Sequence, residues 1–292
     1  MPFLVIANGS KPKAVELLLR LQSTQPKELT VTYFKTEYPL HAEEYISQQG
    51  SSFEMLICIG GDGTVHECVN GVMQLAAHER PALFLVPRGT GNDFSRLFHP
   101  TQHIWKTIAT APQHWADVMK VEDEKGEIRY CGNIGDAGLG AAVVKNANKL
   151  PAAIKGSPRF AAAIVRTLLS YKKQYMHFQS DHESLKKRFL TIAFAKGKYF
   201  GSGIGIAPDA QLTDGCIHLT LIGEVNLLQY LRYLPQLKQG KKVNHPEVLY
   251  TSAKKISLSG KGEVELDGEI GFELPVQITL IPKAVRWVGE LR

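Results

Sequence analysis

Apolar and polar positions follow two textures along this chain, and the change between them divides it. Before Asp117, short apolar runs alternate with helical stretches. "FLVIAN" (3–8), "LTVTYFKT" (29–36), "EMLICIG" (54–60) and "ALFLVP" (82–87) read as strands. "PKAVELLLRLQ" (12–22), "PLHAEEYISQQ" (39–49) and "VHECVNGVMQLAAH" (65–78) read as helices, and "DFSRLF" (93–98) as the start of another. This alternation predicts a parallel sheet with helices on its faces. Ligands on such sheets bind beyond the carboxyl ends of the strands. Both glycine-rich loops, after Ile59 and after Pro87, fall on that edge.

From Asp117 the texture changes. "DVMKVEDEKGEIRYCGNIG" (117–135) reads as two strands around a turn at Lys125-Gly126, followed by a long helical stretch over residues 151–176. Then come "RFLTIAFAKGKYF", "CIHLTLIGE", "KKISLSGKGEVELDGEIG" and "VQITLIP", short strands punctuated by Gly and Asp, as in an antiparallel sandwich or barrel. One helix, "NLLQYLRYLPQLKQG" (226–240), interrupts them, with Gly240 at its C-terminal end. The expected organisation is an α/β domain over residues 1–117 and a β-rich domain over 118–280. A closing segment, 281–292, is free to return to the first domain.

Composition fits this picture. Apolar residues make up 44% of the 292 positions and charged residues 21%, the balance of a globular chain. No apolar run approaches the length of a membrane span, and the N-terminal apolar stretch has no basic flank before it, so it reads as a strand. Cys58, Cys68, Cys131 and Cys216 form no CxxC pair, which suggests free thiols and a reducing, cytoplasmic setting. Net charge is +6, and residues 145–188 hold ten Lys and Arg against only Asp181 and Glu183. A basic face attracts nucleic acid, an anionic membrane or an acidic substrate alike.

The chemistry centres on "GGDGT" (60–64), between a strand and a helix. Glycines let a ligand approach the backbone, and the free N–H groups of the helix start favour an anion. Thr64 and Glu67 have the spacing of a capping box. A tight turn without a ligand is the other reading of a glycine loop. Asp62 favours the ligand, because a carboxylate beside a phosphate needs a cation between them, and Mg²⁺ accepts carboxylate and phosphate oxygens together. "PRGTGNDF" (87–94) repeats the arrangement with Asn92 and Asp93, both also favoured N-caps. No Walker A or GxGxxG pattern is present. Asp267-Gly268 in "VELDGEIG" reads first as a hairpin turn.

"GGDGTVHECVNG" followed by "PRGTGNDFSR" resembles the bacterial diacylglycerol kinase family, which includes the sphingosine-kinase-like lipid kinases. The likeness extends along the chain through "HWADVMKV", "GIGIAPDAQLTDGCIHL", "NHPEVLYTSAKKISL" and "VELDGEIGFELP". "GGDGT" alone is shared with NAD kinases. The resemblance implies an NAD-kinase/diacylglycerol-kinase-like α/β nucleotide-binding domain, a C-terminal β-rich sandwich domain for the lipid substrate, and ATP and Mg²⁺ as cofactors. It implies that Gly60, Gly61, Asp62, Gly63, Thr64 and Val65, with Gly89, Thr90, Gly91 and Asn92, cradle the ATP phosphates. Asn8, Gly9 and Ser10 form the opposite lip, with Thr36 near the nucleotide, and Asp62, Asp93 and Asp117 organise Mg²⁺. Glu269 matches the proton acceptor and Asp267 the neighbouring acid. A separate structural Mg²⁺ maps to Asp214 with the carbonyls of Gln211 and Cys216, where the plain alternative is an Asp-Gly turn.

Three positions depart from the family pattern. Asn8 precedes Gly9 instead of proline, His66 stands where the family often has Asn, and "GNIGDAGLGAAVV" alters the segment expected to face the acceptor. His66 reads as a solvated or capping group. Ile164, Leu168, Tyr171 and Tyr175 recur at helical spacing, with Arg159, Arg166 and Lys173 elsewhere on the surface. Such a helix either packs on the β domain or docks on an anionic membrane. The expected activity is transfer of the ATP γ-phosphate to a lipid hydroxyl, diacylglycerol first, by a cytoplasmic, peripherally membrane-associated enzyme. Another lipid acceptor, an NAD kinase and a non-catalytic nucleotide-binding regulator are the alternatives. Nucleic acid is not an expected partner, and the family's dimers admit a homodimer.

Overall fold

The computed structural model describes residues 2–101, 103–149 and 157–292. The chain forms two compact units, Met1–Val118 with Pro282–Arg292, and Met119–Ile281. It passes from one to the other inside two strands, β5 and β18, described below.

The first unit contains β1 (Pro2–Ala7), α1 (Pro12–Ser23), β2 (Thr30–Lys35), α2 (His41–Gln49), β3 (Met55–Gly60), α3 (Asp62–Met73), β4 (Ala82–Pro87), α4 (Ile104–Thr110) and the start of β5 (Gln113–Asp123). Four parallel strands run in the order β2-β1-β3-β4. On β4, Leu83 pairs in parallel with Trp287 of β18 (Val276–Val288). β3 is buried along its whole length, which is why its sequence is an unbroken apolar run rather than an alternating one. α1 starts on Pro12, whose fixed φ suits a first turn. It then buries Ala14, Leu17, Leu18 and Leu21 at helical spacing. Each such leucine contributes about 1.5–3 kcal/mol by leaving water.

Two local expectations differ here. α3 begins at Asp62, so the glycine loop's second half is the helix's first turn, and no side-chain cap forms. Thr64 is buried and its Oγ1 accepts from Asn8 Nδ2, while Glu67 Oε2 accepts from the Ala42 amide on α2, so the Thr64/Glu67 capping box is not made. "DFSRLF" yields only a 3₁₀ turn over Phe94–Leu97 before the chain reaches Pro100, which disfavours helix in the preceding residue.

The second unit continues with β6 (Ile128–Cys131), β7 (Ile134–Gly138), α5 (Leu139–Asn148), α6 (Ser157–Ser170), β8 (Gln174–Ser180), β9 (Ser184–Phe189), β10 (Thr191–Ala195), β11 (Tyr199–Phe200), β12 (Ile204–Gly205) and β13 (Ile217–Ile222). α7 (Leu227–Lys238), β14 (Val248–Ala253), β15 (Lys255–Gly260), β16 (Glu263–Leu266) and β17 (Glu269–Glu273) complete it, with the first part of β18. One antiparallel sheet runs β14-β13-β10-β7-β16-β17. β18, β15, β8 and β9 form an antiparallel ladder, and β5 pairs with β6. Phe178 of β8, Leu258 of β15, Phe194 of β10 and Leu219 of β13 share one core, the interior of a sandwich.

The expected helix over residues 151–176 is α6 alone within the described part. Residues 151–156 and the side chains of Arg159 and Leu168 lie outside it. Tyr175 falls on β8, not on the helix. Ile164 and Tyr171 pack on the core of α5, β7 and β10, while Val165 and Leu169 are 53% and 71% exposed. No helix among the described residues is long and apolar enough to cross a membrane.

Candidate functional site

In the first unit, the loops after β1, β3 and β4 meet at the carboxyl edge of the sheet. Backbone bonds tie them: the Asn8 amide donates to Ile59 O at 3.1 Å and the Arg88 amide to Gly60 O at 2.6 Å. The Asn8 side chain accepts from the Ser10 amide and hydroxyl at 3.0 and 2.7 Å and donates to Thr64 Oγ1 at 3.1 Å. The Gly9 amide donates to Thr36 Oγ1 at 3.1 Å. Gly61 and Gly89 are so close that a β-carbon added to Gly89 would lie 2.4 Å from Gly61 Cα. Asn92, at φ +52°, closes its own loop by accepting from the Gly89 amide and donating to Gly89 O, both at 2.9 Å.

Asp62 joins the two glycine loops. Its Oδ1 accepts from the Phe94 amide at 3.0 Å. Gly63, Gly91 and Asp62 are half-buried, Thr90 is exposed and Val65 is buried. Asp93 is buried, with Oδ1 3.3 Å from Arg96 Nε. Asp117, also buried, accepts from the Lys283 amide at 3.0 Å, and Lys283 adopts φ +50° to present it. His66 is buried rather than solvated, with Nε2 3.3 Å from the Asn70 side-chain nitrogen.

In the second unit, Asp267 and Gly268 adopt φ +54° and +93°, the two left-handed residues that a type I′ hairpin turn demands, and they connect β16 to β17. The Asp267 carboxylate accepts from the amides of Gly132, Asn133 and Ile134 at 3.0, 2.9 and 3.1 Å and from the Cys131 thiol at 3.2 Å. Burial and then the Asp267 charge push the Cys131 thiol up, so it remains a donor. This arrangement anchors the turn. Glu269 opens β17 and is exposed.

Two carboxyls beneath that turn went unforeseen. Glu265 and Asp136 face each other in register on β16 and β7, 2% and 0% exposed. Glu265 accepts from the Gly268 amide at 2.7 Å, and burial, then Asp136, raises it well above the carboxylate range. Asp136 accepts from Thr191 Oγ1 at 2.5 Å and from the Ala141 amide at 3.2 Å, and burial raises it to about 6. The signal in the sequence was an acid inside an apolar strand, "VEL".

The diacylglycerol kinase catalytic domain family matches residues 2–121, and the YegS C-terminal NAD kinase beta sandwich-like domain matches residues 133–289, more than half the chain. The chain belongs to the bacterial diacylglycerol kinase-like lipid kinases. Among this lipid kinase's relatives is the diacylglycerol kinase of Bacillus subtilis (strain 168), 28% identical over 76% of this chain and 73% of its own. The diacylglycerol kinase of Staphylococcus carnosus (strain TM300) is also 28% identical, over 76% of this chain and 72% of that one. Two crystal structures from Bacillus anthracis str. Sterne share the fold. One has a TM-score of 0.76 at 22% identity, covering 99% of this chain and 96% of that one. The other, of a diacylglycerol kinase, has a TM-score of 0.71 at 20% identity with the same coverage. Membership makes this lipid kinase an ATP-using enzyme that works with a divalent cation.

At the separate metal position expected at Asp214, Gln211 and Cys216, a buried lysine comes close in this lipid kinase. Lys196, which follows β10 and is 0% exposed, places its ammonium 2.7 Å from Asp214 Oδ1 and 2.8 Å from Cys216 O. Gln211 is exposed. Asp214 Oδ2 lies 2.6 Å from His218 Nε2. Burial would raise the Asp214 carboxyl, but the bonds from Lys196 and His218 outweigh it and hold it low. The ammonium takes two of the three expected donors, while Asp214, Cys216 and His218 each bring one potential ligand atom within 4.8 Å of the others, a set that could itself hold a metal ion.

Proposed function

We propose that this lipid kinase transfers the γ-phosphate of ATP to the hydroxyl of diacylglycerol, giving phosphatidic acid, with Mg²⁺ as the divalent ion. The observation that carries the nucleotide half is the Gly61–Gly89 approach, which brings two glycine loops together with the start of α3. Backbone N–H groups at such a helix start suit phosphate oxygens. Gly60, Gly61, Gly63, Thr64 and Val65, with Gly89 to Asn92, hold the phosphates, and Asn8, Gly9, Ser10 and Thr36 close the loop after β1 against them. Asp62, with Asp93 and Asp117, would hold Mg²⁺, which would supply charge neutralisation on the phosphoryl oxygens.

Glu269 accepts the proton of the acceptor hydroxyl. As that oxygen bonds to the γ-phosphorus, the bond to the β–γ bridging oxygen breaks and ADP leaves. Phosphoryl transfer asks mainly for positioning and charge neutralisation, to which a carboxylate base adds about 10²–10⁴-fold. Asp267 acts through Glu269 as a positioning residue, because its four bonds fix the turn that presents it. The relatives named diacylglycerol kinase support the choice of acceptor. Access to a lipid comes through α6, where exposed Val165 and Leu169 flank exposed Arg166, with exposed Lys172 just beyond the helix, a face suited to an anionic membrane. The experiment is transfer from γ-labelled ATP to purified diacylglycerol, phosphatidylglycerol, a sphingoid base or NAD. Label in phosphatidic acid is expected, and label only in another product overturns the assignment.

A further inference from the structure

We infer that the ammonium of Lys196 serves as a built-in structural cation, taking the place of the divalent ion that the Asp214 loop otherwise resembles a site for. Burying a lysine completely is costly unless its charge is paired and its donors are used. Here Asp214 Oδ1 supplies the opposite charge at 2.7 Å and Cys216 O a second acceptor at 2.8 Å. These are two of the three donors expected to surround a metal. A hard cation needs those oxygens at about 2.0–2.6 Å, and there it would stand against a like charge that has no route to solvent. The carboxylate is further fixed by His218 at 2.6 Å and by the Cys216 amide at 3.4 Å.

The lysine also connects to the hairpin that carries Glu269. Asn133 O accepts from the Lys196 and Gly197 amides at 2.8 and 3.1 Å, while the Asn133 amide donates to Asp267 Oδ1 at 2.9 Å. One residue, Asn133, therefore joins the lysine anchor to the carboxylate that pins the turn. A fixed ammonium keeps this connection independent of the surrounding ion concentration, whereas a bound ion would release it on chelation.

The test uses the full chain. Crystals soaked in Mn²⁺, whose anomalous scattering marks its position, are expected to show no ion within ligand distance of Asp214, and a peak there overturns the proposal. In parallel, Lys196→Ala is expected to lower the melting temperature by roughly 6–20 °C, with partial recovery when Mg²⁺ or Ca²⁺ is added. A K196A protein that melts like the wild type, or that no divalent ion restores, overturns it too. If K196A fails to fold, the Mn²⁺ soak of the wild type decides alone.

Discussion

Asp62 accepts the amide of Phe94 at 3.0 Å, across 32 residues of chain. This single bond joins the first turn of α3 to the loop after β4. Asp62→Asn keeps an acceptor for Phe94 and removes the charge. The variant should fold, losing at most about 1 kcal/mol of helix-dipole stabilisation, and transfer should drop about 10²-fold. Thermal melting and initial rates check this. Unchanged turnover would reduce Asp62 to a loop tie.

Asp267→Ala strands three backbone N–H groups and a thiol that now share one carboxylate. Losing the acceptor of buried donors should destabilise the second unit by roughly 2–4 kcal/mol. Transfer should fall while ATP affinity holds. Urea unfolding and nucleotide binding on the same preparation separate these effects, and an ATP affinity that falls as steeply as turnover would contradict the positioning role.

Asp136 gives a pH dependence with a definite sign. Its carboxyl is raised from the ordinary 3.8 to about 6. Between those values the folded chain keeps a proton that the unfolded chain has lost, so stability falls as pH rises through this window and is level above it. The loss is on the order of 2–3 kcal/mol. Asp136→Asn should remove that slope, seen as the difference between wild-type and variant unfolding at pH 4 and pH 7. Parallel curves would show that Asp136 titrates normally.

The exposed pair Val165 and Leu169 on α6 predicts a membrane contact. Replacing both with Ser should leave melting nearly unchanged, since neither is buried, and should weaken flotation with vesicles containing anionic phosphatidylglycerol. Equal flotation of variant and wild type would remove α6 from the contact.

Much of this was legible in the sequence, because period and punctuation encode local geometry. β3 announces itself as an unbroken apolar run, and Asp267-Gly268 as a turn, because few residue pairs tolerate two left-handed conformations. What stayed hidden was set by distant partners. Thr64 and Glu67 have the spacing of a capping box, yet Asn8 and Ala42 claim them. His66 looks solvated and is buried. Tyr175 continues a helical period that ends at Ser170, where β8 pairing takes over. Nothing in the sequence pattern singles out Lys196, and only the fold shows Asp214 and Cys216 around it.

The central claim concerns Glu269, and its most direct measurement is single-turnover transfer from γ-labelled ATP to diacylglycerol in vesicles by wild type and Glu269→Gln. The glutamine is nearly isosteric and sits at an exposed strand start, so folding and ATP affinity should match the wild type. The rate constant is predicted to drop by about 10²–10⁴-fold. A variant that phosphorylates diacylglycerol at the wild-type rate would contradict the account.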